Sequence, residues 1–158
     1  MLSVQEQRQM AQLLREQRWG ALATVAQGAP QASMVAYAYD EANHGLLLHL
    51  SRLADHTRNL LRNPHASLVV SAPDDGRSDP QALPRLSLHG HCALLEKGSA
   101  DYEQSRGRYL ERLPTAQRLF EFGDFELLRL VPERARYIGG FARAHSLDRE
   151  DFVNAMEA

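Results

Sequence analysis

One stretch of twenty residues constrains the fold of this chain most: an apolar strand pattern runs directly into a short helical pattern. The strand pattern is Leu46–Leu50, and Ser51 and Arg52 follow it as a turn. The helical pattern covers Leu53–Arg62 and stops before Pro64. A hydroxyl side chain at a helix start accepts hydrogen bonds from the free backbone N–H groups of the first turn. The stretch therefore predicts a strand that delivers a helix N-terminus.

Side chains around this predicted helix start are suited to an anion. Free N–H groups and the helix dipole favour phosphate at such a position. Arg52 lies beside the start, and His56 and Arg58 lie within the first two turns. An ordinary strand–helix junction with a basic, solvated face explains the same residues, and helix starts are more often capped than occupied by phosphate. Both interpretations remain open at this point.

Charge and composition exclude several classes of protein. The 158 residues form one domain, 1–158, by size. There are 18 basic and 20 acidic residues, a net charge of −2, so we expect neither a nucleic-acid nor a membrane partner. Cys92 is the only cysteine, which excludes an internal disulfide. With no signal-peptide pattern and no apolar run near the roughly 18 residues of a membrane span, the sequence predicts a cytoplasmic protein.

The periodicity of the remaining chain predicts mostly antiparallel strands joined by short turns, with helices inserted between them. Helices are predicted at Val4–Gln17, Ser99–Leu110, Thr115–Phe120 and Leu147–Met156, the last capped by Ser146. Further strands are predicted at Gly20–Ala26, Gln31–Tyr39, Ala66–Ser71, Arg85–Glu96, Phe125–Val131 and Arg134–Ile138, the last two separated by a turn at Pro132-Glu133 and followed by a possible extension at Phe141–His145. Asp40–His44 is predicted as a turn. This order favours an α+β protein built on a β-barrel of six or seven strands with peripheral helices.

The longest predicted strand, Arg85–Glu96, has one apolar and one polar face. Its polar face begins Arg85, Ser87, His89, His91. Two histidines two residues apart share a face and are able to bind a metal, but no third ligand has matching spacing, so we expect hydrogen-bonding surface histidines. A partner molecule would cover such a face, which favours a homodimer.

Four segments carry a resemblance to a known superfamily. They are GAPQASMVAYAYD, LHLSRLADHTRNLLRNPHASLVV, DPQALPRLSLHGH and FGDFELLRLVPERARYIGGFARAHSL. In this order they resemble the pyridoxamine 5′-phosphate oxidase-like, FMN-binding split-barrel superfamily, and within it the haem-utilisation (HugZ-type) branch. The resemblance extends from the first helix to about Phe152. It implies a split β-barrel whose homodimer holds FMN in a cleft between two barrels.

The resemblance also implies which residues would hold FMN. By position these are Ser33, Met34, Val35, His49, Leu50, Ser51, Arg52, His56, Thr57, Arg58 and Arg85. The oxidases carry an arginine where this chain has Ser33 and a lysine where it has His56. Arg52, Arg58 and Arg85, the last expected on a strand neighbouring the junction, would then have to supply the positive charge for the phosphate.

The tail departs from the oxidases as well. Their C-terminal segment contains tryptophan and arginine, whereas Trp19 is the only tryptophan here. We therefore expect poor turnover of pyridoxamine 5′-phosphate. Some haem-utilisation relatives carry an additional C-terminal domain, which we do not expect in a chain of this length.

Four functions remain open on the sequence alone. The leading interpretation is an FMN-dependent oxidoreductase of unknown substrate, in which the flavin supplies the chemistry and no catalytic residue is assigned. The alternative is a haem-binding or haem-degrading protein, in which His145, expected on a mobile tail after Gly139-Gly140-Phe141, would ligate the iron. A non-catalytic flavin-binding module and a purely structural role are the other two.

Overall fold

An antiparallel sheet of eight strands organises the fold in the computed structural model, which describes residues 1–158. The order across the sheet is β2-β1-β5-β6-β7-β4-β3, and β8 pairs with β7. The strands are β1 (Trp19–Ala26), β2 (Ala29–Ala36), β3 (Ala38–Asp40), β4 (Gly45–Ser51), β5 (His65–Ser71), β6 (Arg85–Leu94), β7 (Phe125–Ile138) and β8 (Ala144–Asp148). The helices are α1 (Val4–Glu16), α2 (Asp55–Arg62), α3 (Ala100–Arg112) and α4 (Arg149–Glu157), with 3-10 helices at Pro80–Ala82 and Pro114–Glu121. The α+β split barrel predicted from the sequence is thus confirmed, with eight strands instead of six or seven.

Strand β4 is buried on both faces, which explains its almost continuous apolar sequence. Leu46, Leu48 and Leu50 point into the barrel core. Leu47 points to the opposite side, where α3 and the second 3-10 helix cover the sheet with a smaller apolar cluster. None of the helices has the length and apolar character needed to cross a membrane.

A buried ion network holds α3 against the sheet. Asp40 is fully buried, and its carboxylate pairs with Arg129 and Arg108 at 2.8 Å each. The guanidinium of Arg129 also donates to Asp101 and to Ser105 on α3. Asp40 ends β3 and does not belong to the predicted turn. Because breaking a buried ion pair leaves an uncompensated charge, this network fixes the position of α3.

Strand β7 is continuous where the sequence predicted a turn at Pro132-Glu133, so that prediction is wrong. The register between β6 and β7 shifts beside Gly90, and the extra residue is absorbed as a β-bulge. A Cβ atom at Gly90 would lie 1.9 Å from the carbonyl oxygen of Val131. The bulge therefore requires glycine. Glu133 is the extra residue, so the break in alternation at Pro132-Glu133 marks the bulge and not a turn.

The C-terminal part also differs from the prediction. The segment after Gly139 is a hairpin turn, closed by a hydrogen bond from Gly139 N–H to the carbonyl oxygen of Arg143, and not a strand extension past a bulge. Strand β8 follows and pairs with β7. The cap of α4 is Asp148, whose side chain accepts from the N–H of Asp151, and not Ser146.

Candidate functional site

The junction between β4 and α2 has a different helix start from the predicted one. Helix α2 begins at Asp55, not Leu53, and its cap residue Ala54 provides no side-chain hydrogen bond. Ser51 accepts from the N–H of Leu53 at 3.1 Å, so it caps the turn before the helix. Its hydroxyl donates to Asp124 at 2.6 Å. Ser51 therefore does not cap the helix as expected, and its hydroxyl is already bonded to the carboxylate of Asp124.

Each cation at this junction is paired with a carboxylate. The guanidinium of Arg52 donates to Glu126 at 2.7 Å. Arg58 pairs with Asp55 at 2.5 Å and donates to the carbonyl oxygen of Leu53. Burial lowers the pKa of His56, although the charge of Asp55 acts in the opposite direction. A phosphate at this position would have to compete with these carboxylates for every positive charge.

Several of the predicted site residues at the junction and on β2 are buried. Val35, Leu50 and Thr57 are buried, and Val35 and Leu50 belong to the barrel core. Ser33 pairs with Leu22 on β1, whereas Met34 on the opposite face is half exposed. The side chains of these buried residues are therefore not accessible to a bound ligand.

His49 lies in the apolar cluster under the second 3-10 helix. Its ring stacks on Phe120 at a centroid distance of 3.6 Å and also contacts Tyr109 and Phe125. Its Nδ1 is buried without a hydrogen-bond partner. Burial, and then the positive charges of Lys97 and Arg106, lower the pKa of His49 to about 4. This imidazole is neutral at physiological pH and faces away from the barrel interior.

Arg85 lies far from the junction within one chain. Strand β6 is not a neighbour of β4, because β7 separates them. Ser51 pairs with Phe125 at one end of β7, and Arg85 pairs with Ile138 at the other end. The Arg85 guanidinium donates to two backbone carbonyls of the loop before it. The expectation that Arg85 lies on a strand neighbouring the junction is therefore wrong.

His145 is on β8, and not on the mobile tail expected from the sequence. It pairs with Tyr137 of β7. Its Nε2 lies 3.1 Å from Glu6 Oε1. The carboxylate of Glu6 also accepts hydrogen bonds from the backbone N–H and hydroxyl of Ser3, and together these contacts lower the pKa of Glu6 to about 2. Coordination of iron by Nε2 of His145 would therefore require the contact with Glu6 to be broken.

The outer face of the sheet carries a groove whose side chains form a transverse row. Cross-strand pairing places Ala23 of β1 opposite Ser67 of β5, Ser67 opposite His89 of β6, and His89 opposite Arg134 of β7. The groove has a volume of about 340 Å³, and Val25 and other apolar residues of β1 and β2 line one side of it. The row thus changes from apolar to imidazole to guanidinium over three strand spacings, roughly 14 Å.

Within this groove, His89 is held by one ring nitrogen only. Its Nδ1 lies 2.7 Å from the hydroxyl of Ser67. Its Nε2 makes no hydrogen bond within the chain. Arg134 is exposed and makes no ion pair, unlike the arginines of the junction. The sequence indicated His89 but not Ser67 or Arg134, because only the strand register shows that these three side chains are neighbours.

Comparisons with known proteins identify the relatives of this fold. The family model described as "CREG, beta-barrel" matches residues 3–154. A chloroplastic haem oxygenase named HOZ from Arabidopsis thaliana is 37% identical over 128 residues, which are 79% of this chain and 37% of the plant protein. The haem oxygenase HutZ of Vibrio cholerae is 30% identical over 135 residues, which are 84% of this chain and 76% of HutZ.

A solved structure of a haem-binding protein from Mycobacterium smegmatis superimposes with a TM-score of 0.85 at 29% identity. The superposition covers 98% of this chain and 61% of the mycobacterial chain. A solved structure of a putative pyridoxamine 5′-phosphate oxidase from Listeria innocua superimposes with a TM-score of 0.61 at 18% identity, which shows the fold alone. The chain thus spans less than two thirds of the plant and mycobacterial proteins.

Proposed function

The chain belongs to the CREG β-barrel family, and from that premise we propose that it is a haem-binding protein of the haem-utilisation type. The observation that carries the proposal is its similarity, over about four fifths of its length, to two proteins named as haem oxygenases. The mycobacterial neighbour, named as a haem-binding protein, supports it. When bound, haem supplies an iron centre for ligand binding and redox chemistry.

The residues of the outer-face groove are compatible with haem. A haem site needs an axial ligand, an apolar surface for the macrocycle and cations for the propionates. His89 has an Nε2 without a partner in the chain, Ala23 and Val25 are apolar, and Arg134 is unpaired. By contrast, carboxylates accompany every cation of the β4–α2 junction, so the FMN phosphate has weaker support there.

A homodimer is part of the proposal. Trp19, Met34 and Val69 are 56%, 50% and 38% exposed and lie on the outer face of three adjacent strands. Large exposed apolar side chains that share one face are typical of an interaction surface. A second copy packed on this face would cover them beside the groove. Size exclusion with light scattering should give twice the monomer mass at micromolar concentration, and the mass of one chain would contradict this part.

One titration separates haem from flavin. Addition of haemin should produce a protein-bound Soret band that saturates near one haem per chain. Addition of FMN at the same micromolar concentrations should leave flavin fluorescence nearly unquenched, because FMN should bind only weakly at the junction. Quenching by FMN without a Soret band for haemin would favour the flavin-dependent interpretation. The absence of both signals would favour a fold used only for association.

Haem degradation is a further step that the names of the relatives suggest. Loss of the Soret band after ascorbate is added in air, with catalase present to remove free peroxide, would assign this activity. A stable Soret band would restrict the function to haem binding.

A further inference from the structure

We propose that haem lies in the outer-face groove, with Nε2 of His89 as its axial ligand and Arg134 opposite a propionate. The inference rests on the proposed haem-binding function and names the site and the residues that would carry it. It follows from the transverse row Ala23–Ser67–His89–Arg134 and from the hydrogen bonds that each member makes or lacks.

His89 has the features of a positioned metal ligand. An imidazole that ligates a metal generally donates its other ring N–H to a protein acceptor, which fixes its tautomer and orientation. With the proton on Nδ1, His89 donates to Ser67 Oγ at 2.7 Å, and the lone pair of Nε2 stays available. Strand β6 is central in the sheet, between β5 and β7, so the backbone that carries His89 is paired with a strand on each side.

Ser67 acts through His89 and is a positioning residue. It lies directly opposite His89 on β5. Removal of its hydroxyl leaves the imidazole in place but frees the ring to rotate and to change tautomer. Partners of this kind typically contribute about ten- to a hundredfold to metal affinity.

The two sides of the groove match the two chemical parts of haem. On the β1 and β2 side, Ala23, Val25 and Pro30 offer an apolar surface to a flat macrocycle. On the other side, Arg134 is opposite His89 on β7, one strand spacing or about 4.8 Å away. A guanidinium binds a carboxylate through two parallel hydrogen bonds. Arg134 makes no ion pair with the two nearby carboxylates, because Glu133, which also lines the groove, is bonded to His91, and Asp148, opposite Arg134 on β8, caps α4.

The remaining six histidines are less suited to this role. His44, whose ring nitrogens contact Tyr39 and Glu157, and His56 on α2 both lie outside the groove. His91 lies on the same face two residues further along β6 and is likewise bonded through Nδ1, in its case to Glu133, but it does not line the groove. His145 is bonded to Glu6 through Nε2. His49 is buried among aromatic rings. His65 lines the groove but has no hydrogen bond to orient its ring.

The test is a set of haemin titrations of the full chain, read by the position and intensity of the Soret band. His89→Ala should weaken haem affinity at least tenfold and shift the Soret band, and added imidazole should restore the wild-type band. Ser67→Ala should weaken affinity about tenfold while it keeps the histidine-ligated spectrum. His91→Ala is the matched control, on the same strand and face, and should bind as the wild type does. Circular dichroism of each variant checks that the fold is retained.

The outcomes distinguish this inference from the proposed function. A wild-type protein that binds no haem overturns both. A wild-type protein that binds haem, with a His89→Ala variant that binds it equally and with the same spectrum, overturns only this inference. Loss of the band in His91→Ala or His65→Ala, with His89→Ala unaffected, also overturns it and assigns the ligand elsewhere. If His89→Ala does not fold, His89→Gln takes its place and is judged by the same shift of the Soret band.

Discussion

The β4–α2 junction and the outer-face groove both collect polar side chains, but their charges are in different states. At the junction, Arg52 is paired with Glu126 and Arg58 with Asp55. In the groove, Arg134 is unpaired and His89 uses only one ring nitrogen. The junction has more basic residues in the sequence. In the structure, however, the groove has the cation and the ring nitrogen that are not bonded within the chain.

This difference shows that the number of basic residues in a motif does not measure the positive field that it presents. Glu126 and Asp124, which neutralise the junction, are more than seventy positions away from Arg52 and Ser51. They arrive through the pairing of β4 with β7. An anion site inferred from a local motif thus depends on carboxylates that the motif does not contain.

The largest expected effect concerns His49, the buried histidine of β4. The pKa of His49 is lowered to about 4, whereas an unfolded histidine titrates near 6.5. As the pH falls from about 6.5 to 4, the unfolded state therefore binds a proton that the folded state does not. The contribution of His49 to the free energy of unfolding should have its full value above pH 6.5. It should fall by roughly 2–3 kcal/mol by pH 4. Urea denaturation at several pH values measures this slope.

A pair of variants isolates the contribution of His49. His49→Phe keeps an aromatic ring against Phe120 and should remove this part of the pH dependence. His65→Phe replaces an exposed histidine and should retain the wild-type slope. An unchanged slope in His49→Phe would mean that His49 is not protonated differently in the folded and unfolded states.

The sequence predicted the fold well because its strong signals are periodic. The apolar run of β4 and the alternation of β6 each specify a local structure, and both are found. The bulge at Gly90 was missed because it depends on the carbonyl of Val131 on another strand. Charge state and side-chain neighbours likewise depend on register, which no local pattern contains.

The second prediction compares the two regions by reversing one charge in each. Arg134→Glu should weaken haem binding by about ten- to a hundredfold, because a charge-assisted contact worth roughly 1.5–3 kcal/mol is lost and repulsion of a propionate is added. Arg52→Glu, at the junction, should change haem affinity by less than about twofold. Haemin titration at low and high salt measures both, and the difference should be larger at low salt. Equal losses in the two variants would show that net charge, and not the groove, governs haem affinity.

The smallest expected effect comes from releasing the cations of the junction. Glu126 is buried, accepts from Arg52 and lies 3.6 Å from Lys97. Glu126→Gln keeps the shape of the side chain and removes its charge, so Arg52 and Lys97 become available to an anion beside the start of α2. FMN affinity should then rise by about three- to tenfold, while riboflavin, which lacks the phosphate, should gain nothing.

Glu121→Gln, which changes an exposed carboxylate in the 3-10 helix, is the matched control and should leave both affinities unchanged. The measurement is flavin fluorescence quenching. A gain for riboflavin equal to that for FMN would mean that the substitution opens the junction to the ring instead of freeing positive charge. No gain for either ligand would mean that Glu126 does not hold the cations of the junction away from an anion, and the contrast between paired and unpaired regions would then have another cause.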